Sequence, residues 1–135
     1  MISGEFIGEA ALAKKIAQAG KRAEERVRKR ARALGDEIAA EMKSRAPVAT
    51  GGLRDSIRVE DDEEGNGVIV RAGGTPETTR TSPSGHEFDV ALMTEFGVAH
   101  APAQPFFNNT ANEYRKKIIA EMGEAAVEGA LEEME

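Results

Sequence analysis

The strongest pattern in the chain is a stripe of apolar residues, Ala23, Val27, Ala31, Leu34, Ile38 and Met42, recurring at three- and four-residue spacing between Lys21 and Arg45. That is the helical period, and the intervening positions are largely charged, so the stretch is predicted as an amphipathic helix with one narrow inner face. Glu24 with Arg28, and Glu25 with Lys29, stand four apart with the acid first, the favourable order on a helix surface. Gly35 costs such a helix about 1 kcal/mol relative to Ala and is read as a bend. The stripe is rich in Ala, which suits close packing on a sheet or on a neighbouring subunit. Upstream, Glu5 to Ala19 has only Phe6, Leu12 and Ile16 as anchors and is read as a separate, weaker helix, with Gly20 as a break or bend.

Downstream of Arg45 the period changes. Pro47 disfavours helical geometry at Ala46 and cannot donate an interior helix hydrogen bond, so the helix is expected to end there. In the stretch APVATGGLRDSI, Gly51 and Gly52 give the backbone freedom to turn, and Leu53 and Ile57 return it to the core. Pro47, Thr50, Gly51 and Leu53 are thus the structural residues of a helix-to-strand hinge. Ile57 and Val59 then alternate with Arg58 and Glu60, and Val68 to Val70 resume the pattern after Gly65, Asn66 and Gly67, which predicts a hairpin.

Residues 73–87, GGTPETTRTSPSGHE, show no apolar period and are expected to form a mobile loop. Phe88 to Val98 fits either a helix or a strand; a helical turn leading into Gly97 is favoured. Pro102 and Pro105 then flank Gln104, ahead of the aromatic pair Phe106 and Phe107. Thr110 and Glu113 have capping-box spacing for a helix from Ala111, with Tyr114, Ile118, Ile119, Met122, Ala125 and Ala126 on one side and a tail fraying beyond Gly129. The expected fold class is α+β: a long N-terminal helix and a C-terminal helix packed on a small antiparallel sheet. It is read as a single domain over residues 1–135, with flexible ends at 1–20 and 130–135.

Composition narrows the picture. At 135 residues the chain suits one domain with a real core, and with aromatics at 4% and no tryptophan that core is aliphatic. The absence of cysteine removes disulfides, a thiolate nucleophile and Cys-ligated metal. There is no apolar run long enough for a membrane span, and the N-terminus lacks the layout of a signal peptide, so an intracellular product is expected. The net charge of -6 conceals a basic first third, including Arg26, Arg28, Arg30 and Arg32, and acidic residues at Asp61 to Glu64 and from Glu121 onward. Opposite charge at the two ends suits association with further copies or with an oppositely charged partner. A basic helix also suits DNA, but no aromatic residue interleaves with these cations.

The chemical inventory is thin. His86 and His100 have no carboxylate at helical ligand spacing, so no metal site is assigned. The TGG at Thr50 follows a helix and lacks the Lys-Ser/Thr of a phosphate-cradling loop. Ser56, Ser82 and Ser84 have no placed base, and pairing Glu87 with Asp89 or Glu95 as acid and base has no support beyond chance in an acidic chain. No catalytic residue, cofactor or metal is assigned, and the chain is read as non-enzymatic.

The order of motifs nonetheless resembles one family. Ala46, Pro47, Thr50, Gly51, Leu53, Ser56 and Ile57, then Glu95, Phe96 and Gly97, then Pro105 and Phe106 ahead of a helix, are similar to the pattern of the gene-product-ten-like proteins of tailed phages, the neck or tail-completion proteins. The resemblance covers about Arg45 to Ile119. Ala49 stands where the family often has Asp, Val98 replaces the usual Thr after Glu-Phe-Gly, and Val90-Ala91 replaces an aromatic-Ala pair.

This resemblance implies a virion structural protein, present in host cytoplasm during assembly, that completes the tail or neck at the head-tail joint as a ring of identical subunits. Implied partners are further copies of the chain and tail terminator, tail tube or head-connector proteins, with transient contact to genomic DNA and none to membrane. In a head-to-tail ring, the basic helix of one copy is expected to face acidic surface of the next, with Arg54 and Glu95 flanking a buried Leu53 and Phe96. Arg26, Arg28, Arg30, Arg32, Arg54, Glu95, Phe96, Gly97, Pro105 and Phe106 are the expected interaction residues. The alternatives are a head-side connector or stopper, and a DNA-binding protein using helix 21–45.

Overall fold

The computed structural model describes residues 2–48, 51–65 and 67–134, with side chains described over 11–132 of these. Ala49, Thr50 and Asn66, and the side chain of Phe6, lie outside the described part. The architecture is α+β. A 44-residue helix α1 (Ile2–Arg45) and a 27-residue helix α4 (Asn108–Met134) run antiparallel, and the intervening chain folds against one end of the pair. That insert comprises the short helix α2 (Gly52–Ser56), the hairpin β1 (Arg58–Asp61) and β2 (Val68–Arg71), a second hairpin β3 (Thr79–Thr81) and β4 (Glu87–Asp89), and helix α3 (Val90–Phe96).

The predicted stripe is the inner face of α1. Leu34, Ile38, Ala39 and Met42 are buried, and the last three join Ala46, Leu53, Ile57, Ala91 and Phe106 in one core, with Val59, Val70, Phe107, Tyr114 and Ile118 packed around it. The two helices expected on either side of Gly20 are one. No proline interrupts them, the flanking residues are strong helix formers, and a single glycine costs only about 1 kcal/mol. Gly35 is not explained by a bend. A Cβ there would lie 2.9 Å from Val68 Cγ2 and 3.1 Å from Val59 Cγ1, so the missing side chain admits the β1–β2 hairpin onto α1.

The first hairpin pairs Arg58 with Arg71 through Asp61 with Val68. The hinge also contains α2, which packs Leu53 into the core after Gly51 turns the chain at φ +76°. Residues 73–87, expected to be an irregular mobile loop, carry β3 and the start of β4, paired from Thr79–Asp89 to Thr81–Glu87. TRT and EFD have no apolar alternation, and backbone pairing together with the Thr75–Thr78 turn organises them.

The C-terminal helix departs from expectation in three ways. It starts at Asn108, and Thr110 and Glu113 form no capping box: Thr110 Oγ1 donates to Phe106 O (2.7 Å), while Glu113 accepts from Arg45 (2.7 Å). Its inner face comprises Tyr114, Ile118, Met122 and Ala125, with Ile119 on the outside. Finally, it remains helical past Gly129, whose Cα approaches α1 so closely that a Cβ would meet Arg22 O at 2.5 Å.

Candidate functional site

The Glu-Phe-Gly motif sits at the C-terminal end of α3. Asp89 starts this helix, its Oδ1 accepting from Ala91 N (2.8 Å) while Oδ2 accepts from Gly74 N (2.6 Å). An acid directly before the apolar run Val90-Ala91-Leu92 is an N-cap signal readable in the sequence. Glu95 points inward and is only 7% exposed. Its carboxylate accepts from Phe107 N (2.9 Å) and Asn108 N (2.8 Å), the first donors of α4. Charge-assisted bonds at a helix start, where N–H groups lack intrahelical partners, hold α3 and α4 in one relative position.

Gly97 completes the motif. It sits at φ +78°, and a Cβ there would lie 2.7 Å from Ala103 N. The chain turns back through Val98 and Ala101, and Gln104 N donates to Thr94 O (2.7 Å), delivering Pro105 and Phe106 to the core. Phe106 is buried and meets Phe107 edge to face, with ring centroids 6.3 Å apart.

Phe96, expected to be buried beside Leu53, is 68% exposed. Adjacent positions on a helix diverge by about 100°, and the inward one belongs to Glu95, whose charge has two buried donors to satisfy. Leu92, one turn earlier, is 62% exposed and shares the outer face with Phe96. Sequence reasoning did not single out Leu92, although its four-residue spacing from Phe96 marks the shared face. Both line a groove of about 410 Å³ against the β2 segment Ile69 to Arg71, with Arg58 and Asn108 also on its wall. Arg58 is anchored by donating to Ser56 O and Gly73 O, each at 2.8 Å, and Ser56 Oγ accepts from Gly73 N (2.9 Å). The Leu-x-x-Ser-Ile motif therefore ties α2 to the strand end that forms the groove.

Arg54 and Glu95, expected to flank a contact between copies, have different surroundings within the chain. Glu95 is taken up by α4, and Arg54 Nε has no hydrogen-bond partner among the described residues. Much of the basic stripe on α1 is paired within the chain. Arg26 bonds Glu132, Arg30 lies 3.4 Å from Glu121 and 3.7 Å from Glu128, and Arg32 lies 3.3 Å from Asp61; Arg28 is exposed on the same helix. Lys117 to Glu37 (2.9 Å) and Arg45 to Glu113 extend the ladder along the α1–α4 seam. The hydrogen bond to Glu113 is the main cause raising the Arg45 pKa, opposed by burial, and the same contact lowers that of Glu113. Glu60, held first by Arg58 and then by Arg71, is likewise lowered.

His86 lies in the β3–β4 turn and His100 in the turn after Gly97, and among the described residues no cluster of three or more potential ligands is placed to hold a metal ion. Asp89 and Glu95 both serve as acceptors for backbone N–H groups. Among the described residues no helix is long and apolar enough to cross a membrane.

A family model for HK97 gp10-like proteins, described as a bacteriophage tail component, matches residues 10–97. The match takes in α1 from its third turn, both hairpins and the whole of α3, and ends at Gly97; Pro105, Phe106 and α4 lie beyond it. No curated protein and no solved structure matches the chain significantly.

Proposed function

Because the chain belongs to the HK97 gp10-like family of bacteriophage tail components, we propose that it is a non-enzymatic subunit completing the head-proximal end of the tail. In this reading it self-associates into a ring and docks on neighbouring virion proteins, such as a tail terminator, tail tube or head connector. The observation that carries the docking is the outer face of α3. Leu92 and Phe96 stand exposed beside a groove on a helix whose inner side is fastened to α4 through Glu95. A rigid helix presenting an aromatic anchor next to a preformed groove is the arrangement in which a few residues supply most of a binding energy. The DNA-binding alternative is weakened at Arg26, Arg30 and Arg32, which already lie against acids of the same chain.

Deleting the gene from its parent phage or prophage and imaging the lysate by negative-stain electron microscopy tests this role. Filled heads beside separate tails of normal length are expected. Intact, joined particles would overturn it.

A further inference from the structure

The α1 stripe does not stop where α4 ends. The seam runs antiparallel from Arg45–Glu113 to Arg26–Glu132, and Gly129 lies against Arg22 and Ala23, so α4 finishes near Ala19. Helix α1 continues to Ile2, an overhang of about 25 Å at 1.5 Å per residue. On that overhang Leu12 and Ile16 extend the inner stripe of Ala19, Ala23 and Val27, and both are more than half exposed.

A second unpartnered face lies on α4. Its inner side packs on α1, yet Ile119, Gly123, Val127 and Leu131 form another column at four-residue spacing, and its three large aliphatics are all more than half exposed. The column spans about 18 Å, which the overhang is long enough to cover. A helix that is apolar on two sides is ordinarily buried on both. Of the lysines on this part of α1, only Lys15 flanks the Leu12–Ile16 face, Lys14 and Lys21 lying on the opposite side, and Glu124 borders the outer column of α4; neither Lys15 nor Glu124 has a partner of opposite charge among the described residues.

We infer that the overhanging Leu12–Ile16 face of α1 packs on the outer Ile119–Leu131 face of α4 in a second copy of this chain. The two patches differ, so the contact is heterologous and closes into a ring when the rotation permits. The inference rests on the self-association proposed above and assigns its interface.

The chain has no cysteine, so Leu12→Cys and Val127→Cys can be introduced separately, and the two proteins mixed and treated with a short bis-maleimide. Sedimentation velocity over a concentration series, with Ile16→Glu alongside, reports assembly independently. The expected result is a mixed cross-link exceeding that of either protein alone, together with an assembly concentration raised about tenfold or more by Ile16→Glu, the effect of losing one central anchor. Oligomers that form at unchanged concentration with Ile16→Glu and give no mixed cross-link overturn this interface and leave self-association standing. A protein that stays monomeric at every concentration overturns the ring as well.

Discussion

Glu95 Oε1, on the buried side of α3, accepts the N–H of Asn108, the first residue of α4, at 2.8 Å. A carboxylate in the middle of the chain thus starts the last helix, and the Glu-Phe-Gly motif is a structural clamp that leaves its aromatic residue outside. Glu95→Ala strands two donors and is expected to destabilise the fold by about 2–4 kcal/mol, whereas Glu95→Gln, which keeps one acceptor, loses roughly half of that. Urea denaturation of the three proteins checks the order; equal stability of all three would show that the cap is dispensable.

Glycines at two positions are expected to respond with opposite sign. Gly97→Ala places a Cβ 2.7 Å from Ala103 N at a positive φ and should cost about 1–3 kcal/mol. Gly20→Ala meets no atom within 4 Å in the middle of a continuous helix and should stabilise by up to about 1 kcal/mol. Thermal melts distinguish the two, and a destabilising Gly20→Ala would argue against helix continuity there.

Acid should weaken the protein through Glu60 and Glu113. Both carboxyls are held below their ordinary value, by Arg58 and Arg71 in one case and by Arg45 in the other. Each binds a proton less readily folded than unfolded, so its contribution is complete above the usual carboxylate range and is lost as pH falls through the lowered folded value. Lys117, raised by Glu37, works in the opposite sense and keeps its contribution until strong alkali. Both acids are solvent-accessible, so the effect is modest. Glu113→Gln should flatten the acid limb of a stability-against-pH curve, and an unaltered limb would remove Glu113 from the account.

Much of the fold was legible because it rests on local period. The Ala23-to-Met42 stripe, the Val59/Val70 hairpin and the end of α1 at Pro47 all follow from residues a few positions apart. What escaped either lacks an apolar period or rests on contacts distant in the chain. The β3–β4 hairpin joins Thr-rich and acidic segments with no apolar face, and Glu95 finds its partners twelve and thirteen residues away. The charge asymmetry was plain in the sequence, but its arginines meet their acids up to 106 residues along the chain, across the α1–α4 seam. At the candidate site, the importance of Glu-Phe-Gly was visible from family likeness, while which side chain faces the core depended on where α4 begins.

Docking of the protein into the virion through the α3 face is tested by complementing the gene deletion with Phe96→Asp. Phe96 is 68% exposed, so the variant should melt within about 0.5 kcal/mol of the parent protein. The expected result is a folded protein that fails to restore joined particles, leaving filled heads and free tails in micrographs. Full restoration of intact particles by Phe96→Asp would contradict it.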